Sequence, residues 1–122
     1  MGFHFEQLKV WQRAVDLTAD IHKLTLSFPK DELFILTSQI KRASDSVALN
    51  IAEGSTGQTK KEFGRFLGIA IRSAIEVVTC LYIGKKRNLI NNEQFEILYK
   101  ELNAIVKMTQ ALRKSLTTSD KL

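Results

Sequence analysis

The sequence predicts an all-α fold: an up-down-up-down bundle of four antiparallel helices in one domain spanning residues 1–122. Three observations predict it. Apolar residues recur at helical 3–4 spacing in four separate stretches. The connections between them are short, which makes neighbouring helices antiparallel. Glycine and proline are sparse, with six and one, so those present mark boundaries rather than fill loops.

The first helix is expected at about residues 5–27. Val10, Ala14, Leu17, Ile21, Leu24 and Phe28 form its seam, with Trp11 and Val15 widening the face. Pro29 ends it, because a proline ring lacks a donor and restricts the residue before it. The second helix is expected at about 31–53, with Asp31 as cap, acidic Asp31 and Glu32 in its first turn, and Gly54 as its stop. Its seam reads Leu36, Ile40, Ala43, Val47 and Asn50. A polar line of Gln39, Arg42, Ser46, Asn50 and Glu53 runs beside it.

After a loop at residues 55–58, Thr59 to Glu62 (TKKE) is a capping-box sequence for the third helix, expected at 59–87. Phe63, Leu67, Ala70, Ala74, Val77, Leu81 and Gly84 form one seam. Ile71, Ile75, Val78 and Tyr82 form a second apolar line on another face. A helix apolar over most of its circumference needs cover on more than one side. The second line is therefore assigned to a contact between copies, since monomers rarely expose large apolar patches. Lys85, Lys86 and Arg87 suit the negative end of this helix. Asn91 or Asn92 caps the fourth, expected at about 92–117, whose seam is Phe95, Leu98, Leu102, Ile105, Thr109, Leu112 and Leu116. The tail from Thr117 is expected to fray.

Composition bounds the function. With 44% hydrophobic and 25% charged residues the chain is an ordinary globular domain. The lone Cys80 excludes an internal disulfide. No basic-then-apolar leader opens the chain, and no run approaches the ~18 apolar residues of a membrane span. A cytoplasmic protein without a membrane partner is the expectation. His4 and His22 fall in no metal-ligand spacing, and no phosphate loop or nucleophile motif occurs. No catalytic residue, metal or cofactor is assigned. Trp11 and the seven phenylalanines read as packing rather than as a base-stacking platform.

A net charge of +5 and a pI near 9.5 suit a polyanionic partner. Up-down topology gathers Lys9, Arg13, Lys60, Lys61, Arg65, Arg113, Lys114 and Lys121 at one end against Glu6, Glu53, Glu62 and Asp120. That end has a net charge of +4, whereas the opposite end is neutral. Lys60, Lys61, Arg65, Arg113 and Lys114 are the candidate phosphate contacts, for RNA or DNA. Asn50, Glu53, Ser73 and Glu76 form a second constellation. Its structural reading is satisfaction of backbone groups or register; its functional reading is a polar pocket. Antiparallel packing sets Asn50 nearer the level of Phe63 to Leu67 than that of Ser73, so the four form one tight site only where a subunit contact brings copies together.

The segments LKVWQRA (8–14), SQIKRA (38–43), NIAEG (50–54) and KKEFGRFLGIA (60–70) resemble the 23S rRNA-intervening-sequence protein family of bacterial four-helix bundles. That family includes the accessory variability determinant of diversity-generating retroelements. The resemblance covers nearly the whole chain. It implies a four-helix bundle closed into a homopentameric ring, and it leaves two functions open. One is a non-enzymatic nucleic-acid-binding or scaffold protein contacting structured RNA or an RNA–protein complex. The other is an adaptor docking a partner such as a reverse transcriptase. Ser73 and Glu76 match polar positions of the family's third-helix motif. Ala48 stands where members commonly carry proline, Gly57 and Gln58 where they often carry arginine, and Arg72 where they carry glycine.

Overall fold

The computed structural model describes residues 2–120, with side chains through residue 117, and is all-helical, without strands among the described residues. Four long helices form a bundle: α1 (Lys9–Thr25), α2 (Ser38–Ser55), α3 (Lys60–Lys86) and α4 (Asn92–Asp120). α2 packs most extensively on α3, and α3 on α4, so α3 is covered on two sides. The predicted seams meet in one core. Leu17, Ile21, Ile40, Val47, Leu67, Val77, Leu81, Leu102 and Ile105 are completely buried in it. Each such side chain stabilises the fold by about 1.5–3 kcal/mol relative to exposure.

The first helix is interrupted. His4–Gln7 is a separate 3-10 turn, and Leu8 is extended (φ −82°, ψ 118°) before α1 begins. Val10 to Phe28 form the predicted seam and are buried, but Val15 is 38% exposed and does not widen it.

The start of the second helix differs more. After Pro29 the chain makes a 3-10 turn at Lys30–Glu32 and then a π turn at Leu33–Thr37, so α2 begins at Ser38 rather than near residue 31. Asp31 makes no cap hydrogen bond. The wider π turn buries Leu36 and Thr37 and leaves Leu33, Phe34 and Ile35 consecutively exposed, Phe34 by 90%. Arg87 anchors this entry segment from the end of α3, donating to the Glu32 carboxylate at 3.1 Å.

Two further expectations change. The seam of α2 passes from Val47 to Ile51 rather than to Asn50, so Asn50 borders the core instead of occupying it. Gly54 is not the stop, because α2 continues through Ser55 and no glycine adopts positive φ. Gly54 serves close approach instead: a Cβ there would lie 2.7 Å from Phe66 Cβ on α3.

The capping reading of α3 holds where it is described, since the Thr59 hydroxyl accepts from the Glu62 N–H at 3.0 Å. Asn88, at φ 61°, ends α3; Leu89 N–H then reaches back to the Gly84 carbonyl at 2.8 Å. Asn91 is the cap of α4. Its Oδ1 accepts from Gln94 N–H at 2.8 Å, and the Gln94 side chain returns the bond at 3.0 Å. The α4 helix runs to Asp120, so its backbone does not leave the helix at residue 117; residues 121 and 122 lie outside the described residues.

α3 is long and apolar enough, by length and composition, to cross a membrane, which the search for an uninterrupted apolar run did not anticipate. Only Arg72 and Glu76 are charged between Leu67 and Gly84. In this bundle that composition serves a helix packed between α2 and α4.

Candidate nucleic-acid interface

The start of α3 and the end of α4 enclose a recess of about 540 Å³. Thr59, Lys60, Lys61, Glu62, Gly64, Arg65, Arg113, Leu116 and Thr117 line it, so four of the five candidate phosphate contacts share one concavity. Lys114 lines an adjoining recess of about 410 Å³ with Ile71, Gln110, Arg113 and Thr117. Arg113 thus borders both.

Small residues position it. Gly64 and Gly68, one helical turn apart on α3, leave a lane along which the Arg113 side chain lies. A Cβ on Gly68 would come within 3.1–3.3 Å of the guanidinium. Arg65 donates to Glu62 at 3.1 Å and covers the Phe66 ring at 4.6 Å. These contacts hold its planar fork at the rim, a geometry suited to phosphate. Lys61 and Arg113 have no ion-pair partner among the described residues.

The remaining cations divide. Arg13 makes a two-toothed ion pair with Glu101, at 2.6 and 2.9 Å, and belongs to the α1–α4 contact rather than to the basic surface. The pair satisfies both charges and pushes the Arg13 pKa up through that hydrogen bond. Lys121 lies outside the described residues, as does the side chain of Asp120.

The polar constellation sorts into two parts. The Ser46 hydroxyl links Ser73 Oγ at 2.9 Å with Asn50 Nδ2 at 2.9 Å, and Asn50 also donates to the Ser46 carbonyl at 2.8 Å. Ser46 therefore bridges two positions that differ in height along the bundle. Glu76 accepts from Gln39 at 3.3 Å, while the Glu53 side chain is exposed and apart. Ser46, Ser73, Gln39 and Glu76 line an open groove of about 750 Å³ between α2 and α3, together with Arg42, Phe34, Ile35 and Leu49. The sequence reading missed the apolar border of this groove. Its exposed Phe34 and Ile35 follow from the π turn, which no spacing rule announces, and Leu49 adds to them from α2.

The proposed contact line on α3 is partly covered. Ile75 is 53% and Tyr82 54% exposed, whereas Ile71 and Val78 are half-buried and Val78 packs on the core. Ile75, Val78 and Tyr82 line a second groove of about 240 Å³, with Tyr99 and Val106 of α4 opposite.

No group of three or more histidine, cysteine or carboxylate side chains suited to a metal occurs among the described residues. Cys80 is buried, and its thiol is pushed up to about 11, first by burial and then by Glu76. Only the ionised form attacks, and burial disfavours that form, so the folded protein reacts slowly at Cys80 at pH 8. A thiol reagent then labels Cys80 fully only after unfolding. Immediate stoichiometric labelling of the native protein would contradict this burial.

Comparison with known proteins places the chain. A solved structure similar to it is described as a protein of unknown function from the S23 ribosomal protein family of Bacteroides thetaiotaomicron. It is 24% identical, with a TM-score of 0.79 over 86% of this chain and 95% of that one, and shares the helical fold. No curated protein matches. The model of the 23S rRNA-intervening sequence protein family matches residues 6–111, from the 3-10 turn into the last third of α4. This helical bundle therefore belongs to the 23S rRNA-intervening sequence protein family.

Proposed function

We propose that this protein is a non-enzymatic, oligomeric nucleic-acid-binding or scaffold protein of the cytoplasm. It contacts structured RNA, or an RNA–protein complex, through the basic end of the bundle. The carrying observation is the recess at that end, where Lys60, Lys61, Arg65 and Arg113 from two helices share one concavity. Phosphates are recognised there by charge and by guanidinium geometry, without base readout.

Assembly belongs to this reading. Contacts between α2 and α3 pair Gly54 with Phe63, Ser46 with Ser73 and Leu36 with Gly84, an order that supports the antiparallel up-down-up-down arrangement. One apolar face follows α2, with Phe34, Ile35 and Leu49; another follows the α3–α4 groove, with Ile75, Tyr82 and Tyr99. The pairings set both at the same height along the bundle. Two different faces at one height suit a head-to-tail contact that closes into a ring. The family resemblance implies five copies, with every basic end on one side of the ring.

A salt titration of the wild-type protein with a structured RNA tests the nucleic-acid reading. Five phosphate contacts predict that affinity falls by roughly two to three orders of magnitude between about 50 and 200 mM salt. Absence of binding at the lower concentration rejects it. The adaptor reading, in which the ring docks a partner such as a reverse transcriptase, draws on the opposite end. Leu26 is 85% exposed there and shares a recess with exposed Ile97. Binding of a protein partner without RNA affinity would favour it.

A further inference from the structure

The turn ahead of α1 carries aromatic rings that the core does not use. Phe3 and Phe5 stack with centroids 5.7 Å apart and planes 15° from parallel, and Phe5 tilts against Trp11 at 4.7 Å. Trp11 packs on the core; Phe3 and Phe5 do not belong to it. Phe3 remains 65% exposed although Phe5 covers one of its faces. This departs from the sequence reading, in which every phenylalanine is packing.

The pair is also held in place. Phe3 N–H donates to the Glu6 carboxylate at 2.6 Å, and the Phe3 carbonyl accepts from Glu6 N–H at 3.1 Å. Gln12 of α1 grips the Glu6 carbonyl at 2.8 Å. A ring fixed by its own turn, backed on one side and open on the other, stacks a further planar group without ordering cost.

Its position says which group. His22 lies 3.7 Å from Asp45, and Arg13 bonds Glu101 and Met108. These pairings set the start of α1, and the turn before it, at the end of the bundle where α2 and α4 finish and α3 begins. That end carries Lys60, Lys61, Arg65 and Arg113 around the recess. Cations that track a phosphate backbone, at the same end of the bundle as an open aromatic face, form the combination that binds unpaired nucleotides. A duplex offers no free base face to Phe3. A bulge, loop or single-stranded end does.

We infer that the Phe3–Phe5 stack is a platform for an unpaired nucleobase of an RNA strand whose phosphates lie on the basic end. The inference rests on the proposed nucleic-acid reading and narrows it to RNA with exposed bases.

Fluorescence anisotropy of the full chain, tagged only at its C-terminus, tests it at about 50 mM salt. Two labelled ligands are compared: an oligoadenylate of roughly 15 nucleotides and an RNA duplex of similar length. Phe3→Ala is expected to weaken oligoadenylate binding roughly five- to a hundredfold, the range of one stacked base. The same variant leaves the duplex within about twofold of wild type. Phe3→Tyr restores oligoadenylate binding, and Phe3→Leu, apolar but without a π face, does not. Oligoadenylate binding unchanged in Phe3→Ala overturns the inference. So does full rescue by Phe3→Leu, or an equal loss for the duplex. If wild type binds neither ligand, the phosphate reading itself fails; if it binds both and Phe3→Ala changes nothing, only the platform fails.

Discussion

In the proposed assembly, Phe34→Asp is expected to leave only single chains at micromolar concentration, and Ile75→Asp to do the same. Phe34 is 90% exposed, and Ile75 53%, so neither side chain supports much of its own bundle. Each nevertheless sits on one of the two apolar faces assigned to the contact. Covering a phenylalanine or isoleucine contributes about 1.5–3 kcal/mol, and a carboxylate buried in its place without a partner costs several more. Helix content and thermal midpoint should stay close to wild type, which separates lost assembly from lost folding.

The two variants together carry more information than either. In a head-to-tail contact each retains one intact face, Phe34→Asp on the α3–α4 side and Ile75→Asp on the α2 side. Mixed in equal amounts, they should pair as one-to-one dimers of twice 13.8 kDa and go no further. Had the faces paired like with like, Phe34→Asp would still dimerise through its Ile75 face. Sedimentation velocity on the singles and the mixture distinguishes these outcomes.

The second large effect concerns the basic end. The triple variant Lys61→Glu, Arg65→Glu and Arg113→Glu is expected to lose at least about a hundredfold in RNA affinity at low salt. Its salt slope should flatten by about two to three, as three phosphate contacts disappear. Lys61 and Arg113 have no ion-pair partner among the described residues, and Arg65 has an exposed one, so their replacement costs the fold about 0.5 kcal/mol or less each. Lys86→Glu, at the far end of α3, is the control and should stay within about twofold. Equal losses in both variants would mean that binding follows net charge and not the recess.

Most of the fold was legible because seam spacing and capping are local signals. The buried lines of α1, α3 and α4 follow the 3–4 pattern directly, and Thr59 and Asn91 cap as their side chains dictate. The entry to α2 was not legible. Leu33, Leu36 and Ile40 fit a helix seam, yet the chain enters α2 through a π turn that exposes Leu33 and Phe34. Asn50 was misread for a related reason: residues 47, 50 and 51 all fit the periodicity, and the core takes Ile51. Four cations of the basic recess were found from topology alone, since chain direction decides which ends share a level. Arg13 was counted at the same end without being assigned to phosphate; its neutralising pair with Glu101 depends on register between α1 and α4, which sequence leaves free. Gly64 and Gly68 carried no signal until Arg113 was seen lying across them.

Light scattering on the wild-type chain at low micromolar concentration tests the central claim, that apolar surface on two faces of the bundle is covered by further copies. One species is expected, several times 13.8 kDa and unchanged on dilution, with five copies as the number the family resemblance implies. A stable particle of 13.8 kDa, with Phe34 and Ile75 open to water, would contradict it.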